Sequence, residues 1–203
     1  MAVEGVDAGV SAEVAGSAEP PVVVGTCTGT GLVLLIDRSG SMSGLPMEMA
    51  KSSAVAAVKV LGPADCFELV AFDSAPERVV PLTAVANRAA LEASIAKVTA
   101  GGGTELATTL AWARRDIGGA PRAKRRLVIL LTDGQASSNG TRELAEAIAR
   151  DGVTVTTIGL GGGVDESLLR AIAEAGHGRF HKITDPTRLP STVRNELTYG
   201  ASP

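Results

Sequence analysis

Aromatic residues are nearly missing from this sequence: Phe, Trp and Tyr make up 2% of 203 residues, with one Trp and one Tyr. Base-stacking surfaces and ring-lined pockets are built from such side chains, so both are excluded. Cysteine is as scarce. Cys27 and Cys66 are the only two, too few for a disulfide framework or a metal-ligand cluster. The simpler reading is two free, mostly buried thiols in a reducing compartment. A bond between them requires the first two strands to be neighbours. No apolar run reaches the roughly 18 residues that a transmembrane helix needs, so direct membrane insertion is not expected. The N-terminus lacks the charged-then-apolar order of a secretory signal, which favours a cytoplasmic address. Charge of one sign is also missing. The net charge is −3, and residues 1–24 hold Glu4, Asp7, Glu13 and Glu19 with no Lys or Arg. The remainder is close to neutral, so no nucleic acid partner is expected. Arg122, Lys124, Arg125 and Arg126 read as a solvated loop before a strand.

What the chain does have is aliphatic core material, with apolar residues at 45%. Residues 1–24 show no periodicity and read as a disordered acidic tail or linker ahead of one domain over 25–203. From there strand and helix alternate. Continuous apolar runs predict buried strands over 32–36, 67–72, 127–131 and 153–158, with a short edge strand over 78–82 beside prolines and a last strand over 179–183. Helices are predicted over 45–61, 87–98, 105–117, 142–150 and 165–175, and from 185 to about 197. Asp165 is placed as the N-cap of its helix. Thr104 alone would also be a good N-cap for the helix that follows it. The pattern is α/β, a doubly wound, mostly parallel six-stranded sheet with helices on both faces.

In such sheets ligands collect beyond the carboxyl ends of the strands, where strand order reverses. Two groups of short oxygen donors lie at such places, and a third lies in a loop between two of the predicted helices. Asp37, Ser39 and Ser41 follow the first strand in "LVLLIDRSGSMSG". Asp133 follows the strand over 127–131, and Thr104 stands behind three glycines in "GGGTEL". A few carboxylates with neutral hydroxyls make a shell for a hard cation. Alternate positions of an Asp-x-Ser-x-Ser loop turn toward one point, and Gly101 to Gly103 let the backbone bring the Thr104 hydroxyl close. Mg²⁺, which is small and keeps water ligands, fits best, with Mn²⁺ or Ca²⁺ as alternatives. No His or Cys stands in these loops to suit zinc.

These same three segments, "DRSGSMSG", "GGGTEL" and "LLTDGQ", resemble the loops of the metal-ion-dependent adhesion site (MIDAS) of von Willebrand factor A (VWA) domains. Asp37, Ser39 and Ser41 match its Asp-x-Ser-x-Ser loop, Thr104 its threonine and Asp133 its last aspartate. The resemblance runs from about Gly31 to Leu197, and phrases such as "VVPLTAV" look most like the bacterial branch. It implies a doubly wound sheet with one short antiparallel edge strand, where residues 78–82 fall. It also implies a non-enzymatic protein-binding module, in which the metal takes an Asp or Glu carboxylate from another protein. Met42, Leu45, Gln135 and Ser138 would then form the rim that chooses the partner. Domains of this branch often sit within larger proteins, some of them membrane-anchored, and such a parent would place the domain outside the cytoplasm.

Two enzymatic readings compete. A Mg²⁺-dependent phosphatase of the haloacid dehalogenase type also begins with a buried strand ending in Asp. That chemistry wants a second acid two residues on, where this chain has Ser39. A serine hydrolase would need Ser at the centre of "GSMSG", which is Met42. His177 and His181 have no partner motif and read as structural or solvated.

Overall fold

The first strand decides the architecture. β1 (Thr30–Asp37) is buried along almost its whole length, and its alternate residues feed two separate cores. Leu32, Leu34 and Ile36 pack on one face of the sheet; Val33 and Leu35 pack on the other. Each such side chain contributes about 1.5–3 kcal/mol by leaving water. The computed structural model describes residues 26–134 and 139–199. The expected tail over 1–24, and Gln135 and Ser138, lie outside them.

The other strands are β2 (Cys66–Phe72), β3 (Pro76–Ala84), β4 (Arg125–Thr132), β5 (Thr154–Leu160) and β6 (His177–Ile183). They form a single sheet in the order β3-β2-β1-β4-β5-β6. All neighbours are parallel except β2 and β3. The chain moves outward from β1 to β2 and β3, then returns to β4 on the other side of β1. The strand order therefore reverses between β1 and β4, as expected from the alternation of elements. β3 is the antiparallel edge strand and is longer than the expected 78–82. Pro76 opens it and Pro81 lies within it, places an edge strand tolerates because one side of its backbone needs no ladder partner.

Helices α1 (Leu45–Val60), α2 (Arg88–Ile95) and α6 (Leu189–Thr198) cover one face. Helices α3 (Ala107–Ile117), α4 (Thr141–Arg150) and α5 (Glu166–Ala175) cover the other. Asp165 caps α5 as expected, its carboxylate accepting from the Leu168 amide at 2.9 Å. α3 starts two residues later than expected. Its N-cap position is Leu106, and the free amides of Ala107 and Thr108 are met from one residue earlier by the Glu105 carboxylate, which accepts from them at 3.2 and 2.8 Å. Thr104 is thereby left out of the cap.

Two expectations fail. Cys27 and Cys66 are joined in a disulfide, with Cα atoms 5.6 Å apart, instead of remaining free thiols. The lead-in to β1 runs past the start of β2, so neighbouring strands bring the pair together. The basic cluster is a solvated loop only at Arg122 and Lys124, which are exposed ahead of β4. Arg125 and Arg126 belong to β4, and Arg125 donates to the Leu197 and Glu196 carbonyls at 2.7 and 2.9 Å, tying down the C-terminal helix. His181 serves the same end of the molecule, with Nε2 2.5 Å from Glu196 Oε1.

Candidate metal site

The carboxyl ends of β1 and β4 lie side by side, with Ile36 opposite Leu131. The residues just beyond are Asp37 and the Thr132–Asp133–Gly134 turn. Asp37 is fully buried. Its Oδ1 accepts from the Ser39 amide at 2.7 Å, which folds the Asp-x-Ser segment back on itself. Its Oδ2 accepts from the Thr132 hydroxyl across the strand boundary. A short 3-10 turn, Gly40–Met42, follows and brings the two serine hydroxyls within 3.1 Å of each other. Ser41 Oγ then donates to Asp133 Oδ1 at 2.8 Å. A Cβ built on Gly134 would stand 3.5 Å from Thr104 Oγ1 and 3.8 Å from Asp37 Oδ2, so the threonine hydroxyl faces the same spot. Asp37, Ser39, Ser41 and Asp133 are thus linked by successive hydrogen bonds, with the Thr104 hydroxyl on the near side of Gly134, and burial falls from Asp37 and Ser39 to the exposed Ser41.

The donor chemistry fits a hard divalent cation. The loops offer two carboxylates and three hydroxyls, and among the described residues no histidine or cysteine side chain stands with them. Among the described residues no group of three or more His, Cys, Asp or Glu is placed to hold a metal ion. No cationic side chain among the described residues bonds to Asp37. The neighbouring Arg38 turns to Asp73, with Nε 2.9 Å from Oδ2, and to Glu77. Burial, aided by the Asp133 charge, pushes the Asp37 carboxyl up despite the hydrogen bonds from Thr132 and Ser39. A cation at that spot would supply the missing opposite charge.

The rim differs from expectation at one residue. Met42 is fully buried, because the 3-10 turn rolls its side chain under the loop into the core with Met47 and Ile36. It cannot touch a partner. Leu45, at the first turn of α1, is 47% exposed.

The sequence reading missed the loop contacts that hold Thr104. It also missed a buried cluster of Glu68, Arg78 and Asp116 behind β2. For the cluster the signal was present: a lone acid inside the apolar run "CFELVAF".

The chain matches the von Willebrand factor type A domain over residues 31–195. It is 30% identical to the uncharacterized protein sll0103 of Synechocystis over 166 residues, which are 80% of this chain and 40% of that protein. Its fold is similar to that of a von Willebrand factor type A protein from Catenulispora acidiphila, with TM-score 0.75 and 31% identity over 83% of this chain and 42% of the other. It is similar in fold also to proximal thread matrix protein 1 of the mussel byssus, solved with a zinc-occupied MIDAS motif, with TM-score 0.72 and 23% identity over 85% of this chain and 46% of that one. The likeness is therefore not confined to bacterial proteins, and the chain spans less than half the length of these matches. On the strength of the sheet order, the loops at its switch point and the family match, the chain belongs to the von Willebrand factor type A domain family.

Proposed function

We propose that this domain is a metal-dependent protein-binding module. Asp37, Ser39, Ser41, Thr104 and Asp133 would hold Mg²⁺, or Mn²⁺ or Ca²⁺ in its place, and the partner would contribute an Asp or Glu. The observation that carries the reading is the convergence of two acids and three hydroxyls from three loops beside Gly134. When bound, an ion held by only two protein carboxylates stays electrophilic and can accept a third carboxylate from outside. The chain's own part is to hold those oxygens in place and to leave the Ser41 side open. The N-terminal end of α1 begins beside that opening, and helix N-termini favour anions. Leu45 offers apolar contact at the rim, and Gln135 and Ser138 are proposed to complete it. VWA domains are generally interaction modules, which supports a binding role over catalysis. The haloacid dehalogenase alternative lacks its second acid, because Ser39 occupies that position. The Cys27–Cys66 bond favours an oxidising compartment over the cytoplasm, in keeping with a domain displayed outside the cell membrane.

The test is thermal unfolding in Mg²⁺ or Mn²⁺ against EDTA. An ion that binds only the folded state stabilises it by about 2.7 kcal/mol at a hundredfold excess over its dissociation constant. Wild type should melt higher with metal, and Asp37→Ala should show no metal-dependent difference. Superimposed wild-type curves would remove the metal from the reading.

A further inference from the structure

We propose that Asp73, Ser74 and Gly102 form a latch that sets the position of the Thr104 hydroxyl in the metal site. The proposal rests on the reading above that the site holds a divalent ion. Thr104 is the ligand with the least support of its own. Asp37 and Asp133 stand at the ends of two inner strands, and the serines share a tight turn. Thr104 rides on a loop between α2 and α3, and its hydroxyl is not used to cap α3, since Glu105 does that work.

The loop is nevertheless fastened on both sides of Thr104. The Gly101 amide donates to the Arg38 carbonyl at 2.6 Å, and the Gly40 amide donates to the Gly102 carbonyl at 3.2 Å. The Gly103 amide donates to Ser74 Oγ at 3.2 Å. The Glu105 amide donates to the Asp73 carbonyl at 2.7 Å. Four bonds therefore bracket one residue, two reaching the β1 loop and two reaching the turn after β2. That turn is itself held. Asp73 Oδ1 accepts from the Ala75 amide at 3.1 Å, and Oδ2 accepts from Arg38, which keeps the Asp73 carboxyl below the usual range against the opposing effect of burial.

Gly102 is the point where the latch admits no side chain. Its φ is +95°, a region costly for residues with a Cβ. A Cβ there would stand 2.7 Å from Asp73 Cβ and 2.8 Å from Asp73 Cγ. Neither atom is the far end of a flexible chain, so the loop would have to lift away from Asp73 and take Thr104 with it. Ser74 acts differently. It is exposed, so its removal should leave the core alone and delete only the acceptor for the Gly103 amide. Asp73, Ser74 and Gly102 are positioning residues and touch no ion themselves.

The experiment uses Mn²⁺ as the probe, titrated calorimetrically into wild type, Ser74→Ala, Ser74→Thr, Gly102→Ala and Thr104→Ala. Amide exchange at residues 101–105 is followed on the metal-free proteins. Groups that orient a metal ligand are worth about 10- to 100-fold in affinity when removed. Gly102→Ala should therefore weaken Mn²⁺ by about tenfold or more, approaching Thr104→Ala. Ser74→Ala should weaken it less, with faster exchange at Gly103 and an unchanged urea midpoint, and Ser74→Thr should restore both. Should Gly102→Ala fail to fold, the Ser74 pair decides alone. Wild-type Mn²⁺ affinity in Ser74→Ala and Gly102→Ala, with a loss only in Thr104→Ala, would overturn the latch and leave the metal site standing. If wild type itself takes up no Mn²⁺, the metal reading falls and the positioning role falls with it.

Discussion

Replacing Glu68 by Gln should change how stability depends on pH. Glu68 lies in the middle of β2 and is fully buried. Its Oε1 accepts from Arg78 Nε at 3.2 Å, and its Oε2 has no partner among the described residues. Asp116, also buried, claims most of the available positive charge, accepting from Arg78 Nη2 at 2.7 Å and from Arg115 Nε at 2.9 Å. Burial first, and the Asp116 charge second, push the Glu68 carboxyl up to about 9. Asp116 is held below its usual range by Arg115 and Arg78, although burial opposes this. The pair therefore keeps one proton at neutral pH, on Glu68. In the unfolded chain Glu68 loses that proton near its ordinary value of 4.5. Between that pH and about 9 the folded state binds one proton more than the unfolded state, so stability falls as pH rises. The slope is about 1.4 kcal/mol per pH unit for one proton, or about 2.7 kcal/mol from pH 6 to pH 8. Gln has nearly the same shape, can donate toward Asp116 and accept from Arg78, and does not titrate. Urea unfolding at pH 6, 7 and 8, at fixed ionic strength, should show the stability gap between Glu68→Gln and wild type widening in favour of the variant by about that amount. All other titrating groups are shared and cancel in the difference. Parallel pH dependences would refute the argument, because they would mean that Glu68 is already ionised in the fold with Arg78 as its counterion.

The disulfide gives a second prediction: it spans 39 residues of sequence, so in the chain-entropy account its reduction should cost about 4 kcal/mol. Urea unfolding with and without a phosphine reductant measures this, and two thiols open to alkylation in the unfolded but unreduced protein would refute the bond. Generic phosphatase and esterase substrates, offered with Mg²⁺, should be turned over no faster by wild type than by Asp37→Ala; a rate that depends on Asp37 would revive the phosphatase.

The parts of the fold that were legible in the sequence are those set by one physical signal. β1 and β4 are unbroken aliphatic runs because both faces are covered, and the polar residues ending those runs mark the switch point. Asp133 is marked in the same way, whereas Thr104, between two helices, is marked by the three glycines before it and by the family resemblance. Where two signals compete, the sequence misleads. Met42 sits among glycines and serines and looks like a loop residue, yet the turn after Asp37 is tight enough to bury it. Thr104 has the chemistry of a helix cap, yet Glu105 reaches the free amides of α3 from one residue later. The Glu68 cluster depends on partners 10 and 38 residues from Arg78, a proximity that only the assembled sheet creates. The cysteine pair depends in the same way on the lead-in to β1 passing the start of β2.

The placement of the two acids has a consequence for engineering. Asp37 and Asp133 hang from β1 and β4, the two innermost strands, which make ladders on both sides and belong to the part of a sheet that opens last. Leu45, proposed for the rim, lies on α1 and is exposed, where the inner strands do not need it for their own pairing. Rim sequence can therefore be exchanged without moving the acids, much as antibody loops vary on a constant framework. Under the metal-mediated contact proposed above, a library built at Leu45 and across residues 135–138 would yield binders sharing one inherited trait, release by a chelator under mild conditions.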